Sequence, residues 1–162
     1  MAAISRRLVI DASVASAAGL TMKPASRRCR ELLQAVLRIC HRLAMSPSLR
    51  QEWNRHQSLF AARWLANMRS RGKVEDIAAL QNEQLRAEAP GTASAQKDLH
   101  PIEAALATDK IVISLDERAR AELAVEAAAE VMWVSPVDEG GHVIYWLKNG
   151  AGTVAEWKLR KH

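Results

Sequence analysis

The sequence predicts an α/β fold, a single domain in which helices cover a parallel sheet. Runs of large or branched apolar residues at 7–11, 111–114 and 131–134 are typical of buried strands, and amphipathic segments separate them. Alternation of strand and helix is typical of a parallel sheet. The chain has 162 residues, 49% hydrophobic and 25% charged, which suits one globular domain. Seven glycines and five prolines are too few for a collagen-like or disordered chain.

The first half of the chain predicts one strand followed by helices. Residues 7–11 form a short strand that ends on Asp11. Ser26 is expected to cap an amphipathic helix over 26–43, where apolar residues recur at helical spacing. Ser46 and Pro47 supply a cap and a first helical residue for a long helix over about 47–70, which Gly72 ends. A further helix is expected over about 75–88, and residues 89–94 form a loop.

The second half predicts a strand, a helix and a last strand. Asp98 is expected to cap a helix that runs to about Thr108, with a strand at 111–114, a helix at 117–130 and a strand at 131–134. Residues 140–162 predict a short helix to Asn149 and then a tail. We therefore expect one domain over 1–162, with its core at about 7–135 and a C-terminal extension at 140–162.

The charges are divided unevenly along the chain. Residues 1–74 carry 14 Lys and Arg against three acids, whereas residues 75–162 carry nine against 15. A basic half indicates a polyanionic partner such as nucleic acid, because Lys and Arg neutralise phosphates. The candidate phosphate contacts are Arg27, Arg28 and Arg30. A positive face that is merely solvated is the alternative.

The cysteines and the N-terminal segment predict a cytoplasmic protein. Cys29 and Cys40 lie eleven residues apart in one predicted helix, so about 16 Å of axial rise separates them and they cannot form a disulfide. Idle thiols favour a reducing compartment. Asp11 interrupts the apolar run that follows Arg6 and Arg7, and no run approaches the length of a membrane span, so we expect neither export nor insertion.

Acidic residues stand where strands and helices of the predicted sheet meet. Asp11 and Asp116 follow strands, Asp98 begins a helix that leads into a strand, and Glu52 lies near the start of the 47–70 helix. Ligands of open parallel sheets gather at the carboxyl ends of the strands. Carboxylates in one crevice repel each other until a hard divalent cation joins them, and Mg²⁺ or Mn²⁺ suits such a set.

Three stretches of the chain carry a resemblance to a known family. They are VIDAS at 9–13, Ser46 and Pro47 leading to Glu52, and, most specifically, KDLHPIEAAL at 97–106 followed by IVISLD at 111–116. In these the chain resembles the PIN-domain nucleases, which include the VapC-type toxins of bacterial toxin–antitoxin pairs. The resemblance covers residues 8 to about 120.

The resemblance implies a three-layer α/β/α fold and cleavage of RNA by metal-dependent hydrolysis. It implies that Asp11, Glu52, Asp98 and Asp116 hold Mg²⁺ or Mn²⁺, with Ser13 and Ser114 as polar neighbours. An antitoxin protein is the partner that a toxin of this kind has. The chain departs from the compact toxins in an extra helical stretch near 65–91 and in a tail after Gly140 that has no counterpart.

Other interpretations of these residues stay open at this point. Asp98 and Asp116 are also plain helix caps, and Glu52 is also a solvated helical acid. His100 and Glu103 have a spacing found in zinc sites, but two ligands on one helix are a weak signal. An exposed pair of Trp146 and Trp157 would indicate a homodimer contact. The main rival to a nuclease is a PIN-like module that binds RNA or protein without cutting it.

Two further enzyme classes are excluded by the residues after the first strand. A haloacid-dehalogenase-type phosphatase requires a second Asp two positions after Asp11, where this chain has Ser13. A dinucleotide-binding oxidoreductase requires a glycine-rich turn, and residues 12–16 contain no glycine.

Overall fold

A parallel five-stranded sheet forms the centre of the protein in the computed structural model, which describes residues 4–137 and 142–160. The strands are β1 (Arg7–Ile10), β2 (Arg42–Met45), β3 (Val74–Asp76), β4 (Ile111–Ile113) and β5 (Met132–Val134). Their order in the sheet is β3-β2-β1-β4-β5, and all four neighbouring pairs are parallel. The parallel sheet predicted from the sequence is therefore confirmed.

Helices flank this sheet in a three-layer α/β/α arrangement. The helices in the described residues are α1 (Ala12–Ala17), α2 (Pro24–Arg38), α3 (Pro47–His56), α4 (Leu59–Ser70), α5 (Glu83–Glu88), α6 (Ala93–Lys97), α7 (Leu99–Leu106), α8 (Glu117–Glu122) and α9 (His142–Lys148). Helix α2 packs against α1, α4 and α9, whereas α7 packs on β1 and β4 and is contacted by α5 and α6.

The sequence predicted a helix over 26–43, and both of its ends were wrong. Helix α2 begins at Pro24, and Ser26 lies inside it with its Oγ accepting from the Gly19 N–H at 3.1 Å. The helix ends at Arg38, and the chain then forms β2 beside β1. Cys40 therefore lies beyond the helix and is exposed, whereas Cys29 is buried within it; both are free thiols. Cys29 and Cys40 do not lie on one helix.

The predicted long helix over 47–70 is two helices. Ser46 caps α3 with Pro47 at its first position, as expected, but the helix ends at His56. Ser58 then caps α4 by accepting from the Ala61 N–H at 3.0 Å. Gly72, with a φ of +66°, follows the end of α4 as predicted.

The expected helix over 75–88 and the extra helical stretch over 65–91 also need correction. Strand β3 begins at Val74, next to β2, and only Glu83–Glu88 is helical before the loop. That loop is shorter than expected, because Thr92 caps α6. The helix predicted over 117–130 stops at Glu122, and a single 3₁₀ turn follows at Glu126–Ala128.

The C-terminal extension packs onto the domain. Helix α9 agrees with the expected helix before Asn149, although residues 138–141, 161 and 162 lie outside the described part. Lys158 forms an antiparallel bridge with Met132, and the rings of Trp146 and Trp157 pack edge to face at 5.1 Å. Trp146 is buried. The exposed aromatic pair that would have indicated a homodimer is thus absent.

The core follows the strands of the sheet. Leu8, Val9, Ile10, Val112 and Ile113 are at most 1% exposed, so β1 and β4 are covered on both faces, as parallel strands require. Between residues 4 and 137 and between 142 and 160, no helix combines the length and the apolar character needed to cross a bilayer.

Candidate metal and active site

The candidate site lies where the direction of the sheet reverses. The chain builds β1, β2 and β3 outward to one side and then returns to place β4 on the other side of β1. Such a switch point leaves a crevice at the carboxyl ends of the two central strands, and ligands of open α/β sheets bind there. Asp11 directly follows β1, and Asp116 lies three residues after the end of β4. The topology thus brings two of the predicted acids to one crevice.

Two serine hydroxyls orient the Asp11 carboxylate. Ser13 Oγ donates to Asp11 Oδ2 at 2.6 Å, and Ser114 Oγ lies 3.0 Å from the same oxygen. Ser13 Oγ accepts from the Leu115 N–H at 3.1 Å, and Ser114 Oγ accepts from the Asp116 N–H at 3.0 Å. Both serines therefore tie the end of β1 to the loop after β4. Within the described residues, Asp11 Oδ1 accepts no hydrogen bond, so this oxygen is not engaged by the two serines.

Asp116 and Asp98 differ in how their carboxylates are used. Asp116 Oδ1 accepts from the Ala119 N–H at 2.9 Å, so Asp116 caps α8, as the alternative interpretation held. Asp98 precedes α7 but accepts no capping hydrogen bond, because its backbone (φ −88°, ψ 0°) is not in the extended conformation of a capping residue. The cap predicted at Asp98 is therefore wrong.

The charges of two other candidate acids act on the Asp98 carboxyl. Burial, together with the charges of Asp116, Asp11 and Glu122, raises the pKa of Asp98 to about 7, with Lys97 opposing them. A carboxyl group so placed resists ionisation until positive charge arrives. Asp98 is thus the uncompensated member of the group.

A hollow of about 240 Å³ opens beside these acids. Its lining includes Asp11, Glu52 and Asp98, together with Ser16, His56 and Lys97. Glu52 forms ion pairs on its own helix with Arg55 and His56, both at 3.6 Å. The next residue, Trp53, is fully buried and donates its Nε1–H to the Ile10 carbonyl at 2.8 Å. This bond joins the residue after Glu52 to the residue before Asp11 and so fixes α3 against the end of β1.

The arrangement does not amount to a completed metal cluster. In the part of the chain that the structure describes, no three Asp, Glu, His or Cys side chains lie close enough to hold one ion together. The chemistry of the donors nevertheless fits Mg²⁺ or Mn²⁺. Mg²⁺ is usually bound through one or two carboxylates and keeps several waters, and Asp11 and Asp98 each present a carboxylate oxygen without a protein donor.

His100 and Glu103 do not form a zinc site. Both oxygens of Glu103 accept from Arg86, at 2.8 and 3.0 Å, and Oε2 also accepts from the Asn82 N–H at 2.6 Å. Glu103 is only 4% exposed, so this ion pair fastens α5 to α7. His100 lines the hollow, in agreement with a place beside the site.

The arginines proposed from the sequence as phosphate contacts are partly engaged elsewhere. Arg27 pairs with Glu31 at 3.8 Å, and Arg30 donates to the Gly19 carbonyl, while Arg28 is half-buried. Sequence reasoning missed His56 and Lys97, which line the hollow. The spacing of His56 from Glu52, one helical turn, was the signal that could have found it, since residues four apart share a helix face.

Comparison with known proteins adds no family to this description. No protein-family model matches the chain, and no curated protein matches it. The geometry of the crevice is therefore the ground on which a function can be inferred.

Proposed function

We propose that the protein is a PIN-like, metal-dependent ribonuclease that hydrolyses phosphodiester bonds of RNA at the carboxyl edge of its sheet. One observation carries the proposal. The Asp98 carboxyl is half-buried and accepts no capping hydrogen bond, and it lies near Asp11 and Asp116 at the switch point of the sheet. A structural acid at a helix start would cap its helix.

The roles of the residues follow from their positions. Asp11 and Asp98 would hold the cation, with Asp116 and Glu52 beside it. Ser13 and Ser114 orient Asp11 and leave one of its oxygens directed away from their hydroxyls. Lys97 stands at the hollow, where its positive charge would hold a phosphate, and His56 lines the same hollow. A divalent cation bound here supplies charge that activates water and stabilises the phosphate.

Cleavage of single-stranded RNA tests the proposal. Wild type should cut with Mn²⁺ or Mg²⁺ and stop with a chelator. Asp116→Asn should lower the rate by more than about 100-fold, because even outer partners of metal sites cost about 10- to 100-fold when removed. Asn still caps α8, so the fold is kept. Glu126→Gln removes an exposed acid outside the crevice and should cut at the wild-type rate.

A second candidate has its own support. The lack of three ligating groups within reach of one ion, among the described residues, favours a PIN-like module that binds RNA or protein without cutting. Thermal melts separate the two. If the crevice takes up the ion, saturating Mn²⁺ should stabilise wild type by about 2 kcal/mol and Asp98→Asn much less. Identical melting curves with Mn²⁺ and with chelator, together with intact RNA, would exclude the nuclease and leave the binding module as the remaining candidate.

A further inference from the structure

A group of exposed cations lies at the amino edge of the sheet, opposite the carboxylates. Arg42 is the first residue of β2, and Arg71 precedes β3 by three positions. Arg38 and Lys148 are the last residues of α2 and α9. All four side chains are exposed. We refer to Arg38, Arg42, Arg71 and Lys148 as the amino-edge cluster.

Hydrogen bonds and a shared hollow show that these residues are neighbours. Lys73 Nζ donates to the carbonyls of Val36 and Leu37, at 2.6 and 2.9 Å, which brings the start of β3 against the end of α2. Arg42 Nη2 reaches the Gly72 carbonyl at 3.5 Å. Arg38 and Lys148 line one hollow of about 290 Å³ between α2 and α9. The cluster is therefore one continuous surface.

The acids around this edge are already engaged with other cations. Glu75 and Asp109 both pair with Arg7, at 3.6 and 3.3 Å, and Glu31, which lines the same hollow, pairs with Arg27. Across residues 4–137 and 142–160, no member of the amino-edge cluster has a carboxylate within ion-pair distance. The surface thus keeps an uncompensated positive charge.

These cations also have a purely structural explanation. Helices α2 and α9 end here, and positive side chains stabilise the negative end of a helix dipole. The contacts argue against it as the whole explanation. Lys73 already serves the carbonyls at the end of α2, and Asn149 Nδ2 serves the Tyr145 carbonyl in the last turn of α9, at 2.7 Å. Within the described residues, Arg38 and Lys148 make no hydrogen bond to either helix end.

We propose that the amino-edge cluster binds the phosphate backbone of single-stranded RNA, on the side of the sheet opposite the carboxylates. The guanidinium groups of Arg38, Arg42 and Arg71 match phosphate in charge and geometry. This surface does not need the metal, and binding there is independent of cleavage. A failure of the proposed nuclease activity therefore leaves this inference standing, and the converse also holds.

Binding of a fluorescein-labelled oligouridylate of about 20 nucleotides, followed by anisotropy in chelator, tests the inference. Arg42→Gln/Arg71→Gln should weaken binding at least about fivefold. It should also reduce the slope of log affinity against log salt by about 1.4, since each phosphate contact on a single strand contributes about 0.7. The lysine pair Arg42→Lys/Arg71→Lys keeps the charge and should restore the salt slope but only part of the affinity, because an ammonium lacks the planar donors of the guanidinium.

A charge-matched control distinguishes this surface from a general charge effect. Lys23→Gln/Arg63→Gln also removes two exposed cations, from outside the cluster, and should change affinity less than twofold. Should Arg42→Gln/Arg71→Gln fail to fold, Arg38→Gln/Lys148→Gln provides the same comparison. Equal weakening by cluster and control variants, or none by either cluster variant, would overturn the inference. So would a cluster variant that loses binding to anionic phosphatidylserine vesicles while it keeps the RNA.

Discussion

The two ends of the same sheet treat charge in opposite ways. At the amino end, three buried or half-buried polar groups have partners: Lys73 donates to backbone carbonyls, His41 is bonded through both ring nitrogens, and Asp109 accepts from Arg7. At the carboxyl end, Asp98 is half-buried among like charges without a donor. The bonds at the amino end stabilise the fold, whereas the ionised Asp98 carboxylate at the carboxyl end opposes it. Functional sites are often destabilising in this way.

The largest expected effect lies at the amino end. Lys73→Met should lower the free energy of unfolding by about 3 kcal/mol, because it leaves the half-buried carbonyls at the end of α2 without their donor. Urea denaturation measures this value. Lys148→Met, which removes an exposed lysine from the same edge, is the control and should cost less than about 0.5 kcal/mol. Equal effects of the two substitutions would mean that the bonds of Lys73 add nothing to stability.

At the carboxyl end, by contrast, removing a charged group should raise the free energy of unfolding. The pKa of Asp98 is about 7 in the folded protein and exceeds that of an ordinary aspartate, so protonation of Asp98 favours the folded state. The loss of stability caused by ionised Asp98 is therefore complete only above pH 7. Asp98→Asn should therefore stabilise the metal-free protein by about 2 kcal/mol at pH 8. The gain should shrink as the pH falls from about 7 to about 4 and vanish below that, where the wild-type carboxyl becomes neutral in both states.

Urea denaturation in chelator across this pH range measures the difference between wild type and Asp98→Asn. Asp116→Asn serves as the companion variant: it keeps the cap of α8 and removes a charge that raises the pKa of Asp98, so it should recover part of the same gain. A constant difference across the whole range, or a destabilised Asp98→Asn, would show that Asp98 is not in conflict with its neighbours.

The smallest effect sharpens the comparison through His41. Burial lowers the pKa of His41, with the charges of Lys73 and Arg6 acting in the same direction, while the bond to the Leu147 carbonyl opposes them. The unfolded state then binds the proton more readily, so this contribution to stability is complete above about pH 6.5 and is lost as the pH falls. His41→Gln should destabilise the protein by about 1 kcal/mol more at pH 8 than at pH 5. Parallel pH profiles of wild type and His41→Gln would contradict the assignment.

How much of the fold could be predicted depended on how each strand is built. Strands β1, β4 and β5 consist of consecutive apolar residues, and that pattern identifies a buried strand. The start of strand β2 falls within the helix predicted over 26–43, because Leu43 continues the helical spacing of the residues before it. Strand β3 has three residues and one apolar side chain, so its pairing with β2, rather than its own sequence, makes it a strand.

Only part of the candidate site could be predicted from the sequence: Asp11, Glu52 and Asp98 line the hollow, but so do His56 and Lys97, which the sequence did not single out. The acids could be placed together because the carboxyl ends of parallel strands share an edge. Whether Asp98 caps α7 depends on the backbone angles at one residue and on its burial, and neither is written in the local sequence. The same holds for the Asp11 carboxylate, since Ser114, which binds Oδ2 from the end of the neighbouring strand and leaves Oδ1 free, is 103 residues away in the chain.

The hydrogen bond from Trp53 to the Ile10 carbonyl makes Trp53 an intrinsic spectroscopic probe of the end of β1. Trp53 stacks on Trp64, with ring centroids 5.8 Å apart and an interplanar angle of 27°, and both indoles are buried. Two indoles in such proximity couple their excited states and produce circular dichroism in the near ultraviolet. Because one ring is bonded to the residue before Asp11 and the other lies on α4, the part of that signal that comes from this pair depends on α3 and α4 staying packed at the end of β1.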